Sequence, residues 1–166
     1  MIDAVRLLKS SQNEGLFRVT PDYATLSALQ LELESKGQIE STPLDQLDIH
    51  IVAALLKHFY RQLDPRLISE SLTLELRQTV NNFSATRAVL SKLQQPFKDN
   101  FQYLILALAQ IIKRTECQTK MNVQNIAIVF APNIFFDYQR GDEQVLKFII
   151  EFGDKLWEQS PQATSE

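Results

Sequence analysis

Between Pro96 and Ile112 the apolar residues Phe101, Leu104, Ile105, Leu108, Ile111 and Ile112 recur at intervals of three and four. That spacing gathers all six on one stripe of an α-helix and would scatter them over both faces of a strand. The segment predicts one long helix opened by Pro96, and the rest of the chain has to cover its stripe. Shorter stretches repeat the period. Ile2 to Ser10 reads as an amphipathic helix with Val5 and Leu8 on one side. Pro21 to about Ser35 carries Leu26, Leu29 and Leu33 at helical spacing, and Lys36-Gly37 ends it with a left-handed exit.

Further helices follow from their caps and stops. Asp48 caps a helix from Ile49 to about Leu63, closed by Asp64-Pro65. Ser69 to about Asn81 and Ser84 to Leu93 read as two more, broken by Asn81-Asn82. Thr115–Lys120 reads as a loop. Asn122 caps a very apolar helix from Val123 to Phe130 that Pro132 halts, and a last helix from about Asp142 to Trp157 turns Val145, Phe148, Ile149, Phe152 and Leu156 inward. With 166 residues, 45% apolar and only four glycines, the chain fits a single all-α domain over residues 1–158, followed by a flexible tail at 159–166.

Net charge is −3. Nucleic-acid binding as the main task is disfavoured, because it calls for a basic surface that displaces counterions. General adhesion to anionic lipid is disfavoured on the same ground, and no apolar run is long enough to predict direct membrane insertion. The single Cys117 precludes an internal disulfide and fits a reducing compartment, so a soluble, intracellular protein is expected. No Gly-rich phosphate loop, nucleophile elbow or metal-spaced His/Cys cluster is present, which argues against a self-contained hydrolase. Cys117 itself has no evident partner and reads as an inert thiol.

Three stretches stand apart from this framework. In Glu14-Gly15-Leu16-Phe17-Arg18-Val19-Thr20-Pro21 one arginine sits on a short loop just ahead of a helix. Thr20 is expected to cap that helix, with Pro21 at its first position and Asp22 in its first turn. Arg18 is then either an ordinary solvated charge or a guanidinium held out for a partner. In the helix after Asp48, Ile49, Val52, Ala53, Leu56, Tyr60 and Leu63 share a face, with Lys57 and Arg61 as neighbours on its flank. Two like charges four apart cost a helix about 0.2–0.5 kcal/mol. They either snorkel along the core edge or meet something negative outside. In Lys120–Asn133, Asn125 is a rare polar residue on a greasy helix, suited to capping or to satisfying a backbone group, and Pro132 is at the least a helix stop.

Taken in order, the three stretches resemble the GTPase-activating domain for Rho-family small GTPases, the RhoGAP domain. Gly15–Val19 matches its Gly-[Ile/Leu]-Phe-Arg-Val. Asp48 to Arg61 matches its Asp-x-His-x-Val-Ala-x-Leu-Leu-Lys helix ending in arginine. Lys120 to Pro132 matches its Lys-Met followed by Asn-[Leu/Ile]-Ala-x-Val-Phe-x-Pro. The likeness runs from about residue 2 to residue 157.

The resemblance implies a helical bundle of the RhoGAP type, with a shallow groove for the switch regions of a Rho- or Rac-type GTPase in its GTP-bound state. Arg18 would be an arginine finger, Lys57 and Arg61 would support its loop and touch the partner, Asn125 would hydrogen-bond at the rim, and Pro132 would shape the groove. The chain would need no cofactor of its own, since GTP and Mg²⁺ belong to the GTPase. It would act as a cytoplasmic monomer recruited to membranes through that partner. The alternative is a silent module of the same fold that binds GTPases or other partners without stimulating hydrolysis. Two departures from the pattern are local: Leu63-Asp64-Pro65-Arg66-Leu67 replaces the usual Leu-Pro-x-Pro-Leu, and Thr119 stands where an asparagine often precedes Lys-Met.

Overall fold

The computed structural model describes residues 2–157, apart from the side chains of residues 115–117. The expected tail at 159–166 and the thiol of Cys117 lie outside the described residues. Among these residues every regular element is helical. The order is α1 (Ile2–Ser10), α2 (Tyr23–Lys36), a 3₁₀ turn (Leu44–Gln46), α3 (Ile49–Gln62), α4 (Glu70–Arg77), α5 (Phe83–Leu90), α6 (Phe97–Thr119), α7 (Val123–Ile134), α8 (Asp142–Glu151) and α9 (Gly153–Leu156).

Helix α6 is the axis of the bundle and touches α1, α7, α8 and α9, while α7 and α8 form the broadest helix pair. Its stripe is sequestered as the spacing predicts: Phe101, Leu104, Ile105, Leu108 and Ile111 are buried, and Ile112 packs at the margin. Helix α3 is buried on two sides. The expected face joins the main core through Val52, Ala53, Leu56 and Tyr60. A second face, Ile51 and Leu55, meets Leu29 of α2 in a small separate cluster with Leu26, Ile39 and Leu47 around it. A two-sided helix next to a peripheral one explains why a single stripe did not describe α3 fully.

The helix starts follow side-chain chemistry. Asp48, Ser69, Asn82 and Asn122 each accept a hydrogen bond from an amide of the first turn, leaving fewer orphan N–H groups. One cap differs from expectation: α2 is capped by Asp22, whose carboxylate accepts from the Thr25 amide at 2.8 Å, so Thr20 and Pro21 precede the helix. An ionised acceptor bonds that amide more strongly than a hydroxyl does. The exit at Gly37 is left-handed, with φ 73° and its N–H on the Leu33 carbonyl.

Other boundaries shift for physical reasons. Helix α6 continues through the expected loop to Thr119, since nothing from 115 to 119 breaks a helix, and reverses at Lys120 with φ 55°. Helix α7 runs through Pro132 to Ile134 instead of stopping at Phe130. Pro132 removes the donor for the carbonyl of Ile128, itself 49% exposed, while Asn133 Nδ2 donates to the Val129 carbonyl at 2.8 Å. The last helix divides at Phe152–Gly153. A Cβ on Gly153 would lie 2.9 Å from Ile105 Cγ2, so the glycine lets α9 approach α6 closely. Phe152 is left at the surface, tilted against Phe148 with ring centroids 4.7 Å apart.

Candidate functional site

The Arg18 loop is pinned by what flanks its arginine. Leu16 and Phe17 are buried, and the Phe17 ring meets Phe130 of α7 edge-on, centroids 5.0 Å apart. Gly15 and Phe17 both take left-handed φ values, 70° and 72°. The carbonyl of Gly15 accepts from the amides of Arg18 at 2.7 Å and Val19 at 2.9 Å, closing a tight turn. A Cβ on Gly15 would fall 2.7 Å from Val19 Cγ2, so the turn needs glycine there. Phe17 adopts the left-handed geometry despite its side chain, and its burial offsets a backbone strain of about 1–2 kcal/mol. Arg18 comes out of this turn exposed. Among the described residues its side chain makes no hydrogen bond and no ion pair.

Lys57 and Arg61, one turn apart on α3, have different environments. Lys57 is half-buried, and its Nζ donates to the Phe17 carbonyl at 2.6 Å, reaching 40 positions back to the residue before Arg18. Burial pushes its ammonium pKa below the ordinary lysine value. Its acceptor is a neutral carbonyl, so the charge is left to project toward the Arg18 surface. Arg61 is exposed and, among the described residues, unpartnered.

The turn between α6 and α7 supplies the third wall. The buried Thr119 carbonyl accepts from the Gly15 amide at 2.7 Å. The Lys120 ammonium pairs with Glu14 at 2.7 Å. A hydrogen bond from Lys120, then its charge, holds the Glu14 carboxyl below the usual carboxylate range, and the nearby Arg18 charge adds less. Asn125 donates from Nδ2 to the Lys120 carbonyl at 3.3 Å, while its own amide bonds the Asn122 cap. Asn125 therefore fastens the turn that fastens the loop.

Pro132 stands apart from this network. It lies two turns beyond Asn125 on the same face of α7 by helical spacing, with Ile128 between them. Nearby, the Asn133 carbonyl accepts from Arg66 at 3.4 Å.

Three of the five residues singled out in the sequence are thus tied into one surface or its immediate support: Arg18, Lys57 and Asn125. Arg61 lies one turn along α3 from Lys57, with no hydrogen bond or ion pair to the loop among the described residues. Glu14, Phe17, Thr119 and Lys120 also build that surface; the sequence marked Thr119 only as a departure from the motif and gave the other three no role of their own. Glu14 and Lys120 are 106 positions apart, and no local pattern signals such a pair. The left-handed Phe17 is equally silent, because the preference for glycine at such φ predicts otherwise.

Chemically, the surface offers a permanent planar cation on a rigid turn and no nucleophile paired with a base. The two histidines do not serve: His58 Nε2 lies 2.9 Å from Glu34, and the buried Nδ1 of His50 has no partner among the described residues. Among the described residues no group of three or more His, Cys, Asp or Glu side chains could hold a metal ion, and no helix is long and apolar enough to cross a membrane.

A family model described as the RhoGAP domain matches residues 1–139. Rho GTPase-activating protein 27 of Mus musculus is 28% identical over 127 residues, covering 73% of this chain and 14% of that protein. The T-cell activation Rho GTPase-activating protein of Homo sapiens is 27% identical over 160 residues, covering 87% of this chain and 21% of that protein. The chain thus spans a minor part of these curated relatives. The crystal structure of human Rho GTPase activating protein 15 superposes with a TM-score of 0.82 at 20% identity, over 95% of this chain and 82% of that chain, and shows the same fold.

Proposed function

Because the chain belongs to the RhoGAP domain family, we propose that it stimulates GTP hydrolysis by a Rho- or Rac-type small GTPase in its GTP-bound state, with Arg18 inserted in trans. GTP hydrolysis passes through a loose transition state whose negative charge spreads over the departing and equatorial oxygens. The GTPase holds the nucleotide, the Mg²⁺ and the attacking water. It lacks a fixed cation at the β–γ bridge. A guanidinium fills that place, with forked donors and a charge that persists at any physiological pH. In trans such an arginine is worth about 10³–10⁵ in rate, roughly 4–7 kcal/mol of barrier.

The observation that carries the reading is an exposed Arg18, its side chain unpaired among the described residues, on a turn whose Gly15, Leu16 and Phe17 are buried and tied down. A preformed turn spends little of the partner's binding energy on ordering the arginine. Lys57 holds the carbonyl beside it. Arg61, Asn125 and Pro132 are assigned to the rim that meets the switch regions, where the exposed Ile128 adds apolar surface. The activator hydrolyses nothing itself. It acts as a cytoplasmic monomer that reaches membranes by way of the GTPase.

The test is single-turnover hydrolysis across a panel of GTP-loaded Rho-, Rac- and Ras-type GTPases, with wild type and Arg18→Ala. Wild type is expected to accelerate at least one Rho- or Rac-type member. Arg18→Ala should lose about 10³-fold or more of that acceleration while still binding. Unchanged acceleration by Arg18→Ala overturns the assignment.

A further inference from the structure

Two residues beyond Arg18 stands Thr20, followed directly by Pro21. Thr20 is exposed, lies outside any helix or turn, and among the described residues makes no hydrogen bond through its main chain or its hydroxyl. Pro21 has no amide proton, so the pair offers no donor at its second residue, and the residue before a proline is biased toward extended backbone. We propose that Thr20 is a phosphoacceptor for a protein kinase that requires proline after the acceptor, and that phosphorylation there switches off Arg18.

The chain contains three Ser/Thr-Pro pairs, Thr20-Pro21, Thr42-Pro43 and Ser160-Pro161. Thr42 is half-buried beside Ser41, which Glu32 holds in place. Ser160 lies outside the described residues. Thr20 is the pair whose exposure and free hydroxyl are seen directly, and it adjoins the functional turn.

The chemistry is a phosphoryl transfer from ATP. The Thr20 Oγ1 attacks the γ-phosphorus, the bond from that phosphorus to the β–γ bridging oxygen breaks, and ADP departs. The hydroxyl proton passes to a carboxylate base of the kinase. The product carries nearly two negative charges and three strong acceptor oxygens.

Arg18 is the cation nearest to those oxygens along the chain. Residues two apart on extended chain lie within roughly 7 Å at Cα, well inside the span of an arginine side chain. Arg18 makes no ion pair among the described residues, and Glu14, the carboxylate that feels its charge, is paired with Lys120. The neighbouring Asp22 is already engaged by Thr25, and Glu14 by Lys120, so both repel the new anion and leave Arg18 as its partner. A bidentate arginine–phosphate pair would occupy the guanidinium that the nucleotide needs, and the remaining negative charge would face the GTP phosphates.

This rests on Arg18 being the working cation, so its test has one arm that does not depend on activity. The intact protein is treated with ATP and a proline-directed kinase of the cyclin-dependent class, with Thr20→Val and Arg18→Ala in parallel, and the phosphate is located by mass spectrometry. The expected result is phosphate on Thr20 of wild type and none at position 20 of Thr20→Val. Phosphorylated wild type should lose about tenfold or more of its stimulated hydrolysis and recover it with phosphatase, while kinase-treated Thr20→Val keeps its activity. In a ³¹P titration the second pKa of phosphothreonine should lie below the free value of ~6 in wild type and return to ~6 in Arg18→Ala.

Failure to modify Thr20, or full activity of the phosphorylated protein, overturns the proposal. If unmodified wild type accelerates no GTPase, the arginine-finger reading falls. The ³¹P comparison then decides the pairing alone, and an unshifted phosphate overturns it.

Discussion

Arg18 and Lys57 divide the work of one cation between two side chains. The first is free and exposed; the second is half-buried and holds the Phe17 carbonyl. Lys57→Met keeps the length of the stem and removes only the donor. It should lower stimulated turnover by about 10–10² through a loosened turn, with a smaller effect on affinity. Single-turnover rates at saturating activator measure this, and an unchanged rate would assign Lys57 to packing alone. Thermal stability should fall only modestly in that variant, since relief of the buried ammonium partly offsets leaving the carbonyl of the buried Phe17 without its donor. The like-charged pair on α3 was visible in the sequence as an anomaly. Its resolution was not, because the partner proved to be a main-chain oxygen 40 residues away, and main-chain oxygens carry no sequence signature.

Helix α2 shows how an element end can depend on a single carboxylate. Glu32 accepts from the hydroxyl and amide of Ser41, from the Glu40 amide and from Lys36, so the chain leaving α2 is folded back onto it. The Ser41 hydroxyl first, then the Glu40 amide, pull its pKa from 4.5 down to about 2. The folded value is the lower one, so the unfolded chain binds more protons between them. The stabilisation is complete above pH 4.5, falls as pH drops toward 2, and is absent below that. Glu32→Gln should therefore have a lower Tm than wild type at pH 7, and the gap should close through that acid window. A gap independent of pH would mean that shape rather than charge holds the loop. Helix positions as a whole were readable where an Asp or Asn cap met an apolar period, as at Asp48 and Asn122, whereas Asn82 read as a break and proved to be a cap. Readability failed where tertiary contacts overrode a local breaker, at Pro132 inside α7, or imposed one, at Gly153 against Ile105. The site followed the same division. Motif residues stood out because they broke the logic of the core, whereas Glu14, Thr119 and the twisted Phe17 look ordinary until the fold brings them together.

For the molecule as a whole, one continuous core links α1 and α3 through α6 to α8 and α9, and Phe101 is at its centre with no exposure. Phe101→Ala should destabilise the fold by about 3–5 kcal/mol. For a domain of this size that is a drop in Tm of roughly 6–20 °C, measurable by calorimetry. A drop under ~3 °C would show that the α6 stripe is not the principal core. The same connectivity governs when the Arg18 turn takes shape. Its first amide rests on the Thr119 carbonyl, and Glu14 waits for Lys120. During synthesis at about 5–20 residues per second, the ribosome delivers those anchors many seconds after the arginine itself. A nascent or prematurely ended chain that stops short of Lys120 thus carries every residue of the first motif and no working turn. The turn is in this sense self-timed: Arg18 stays without its fixed setting until synthesis has passed Lys120.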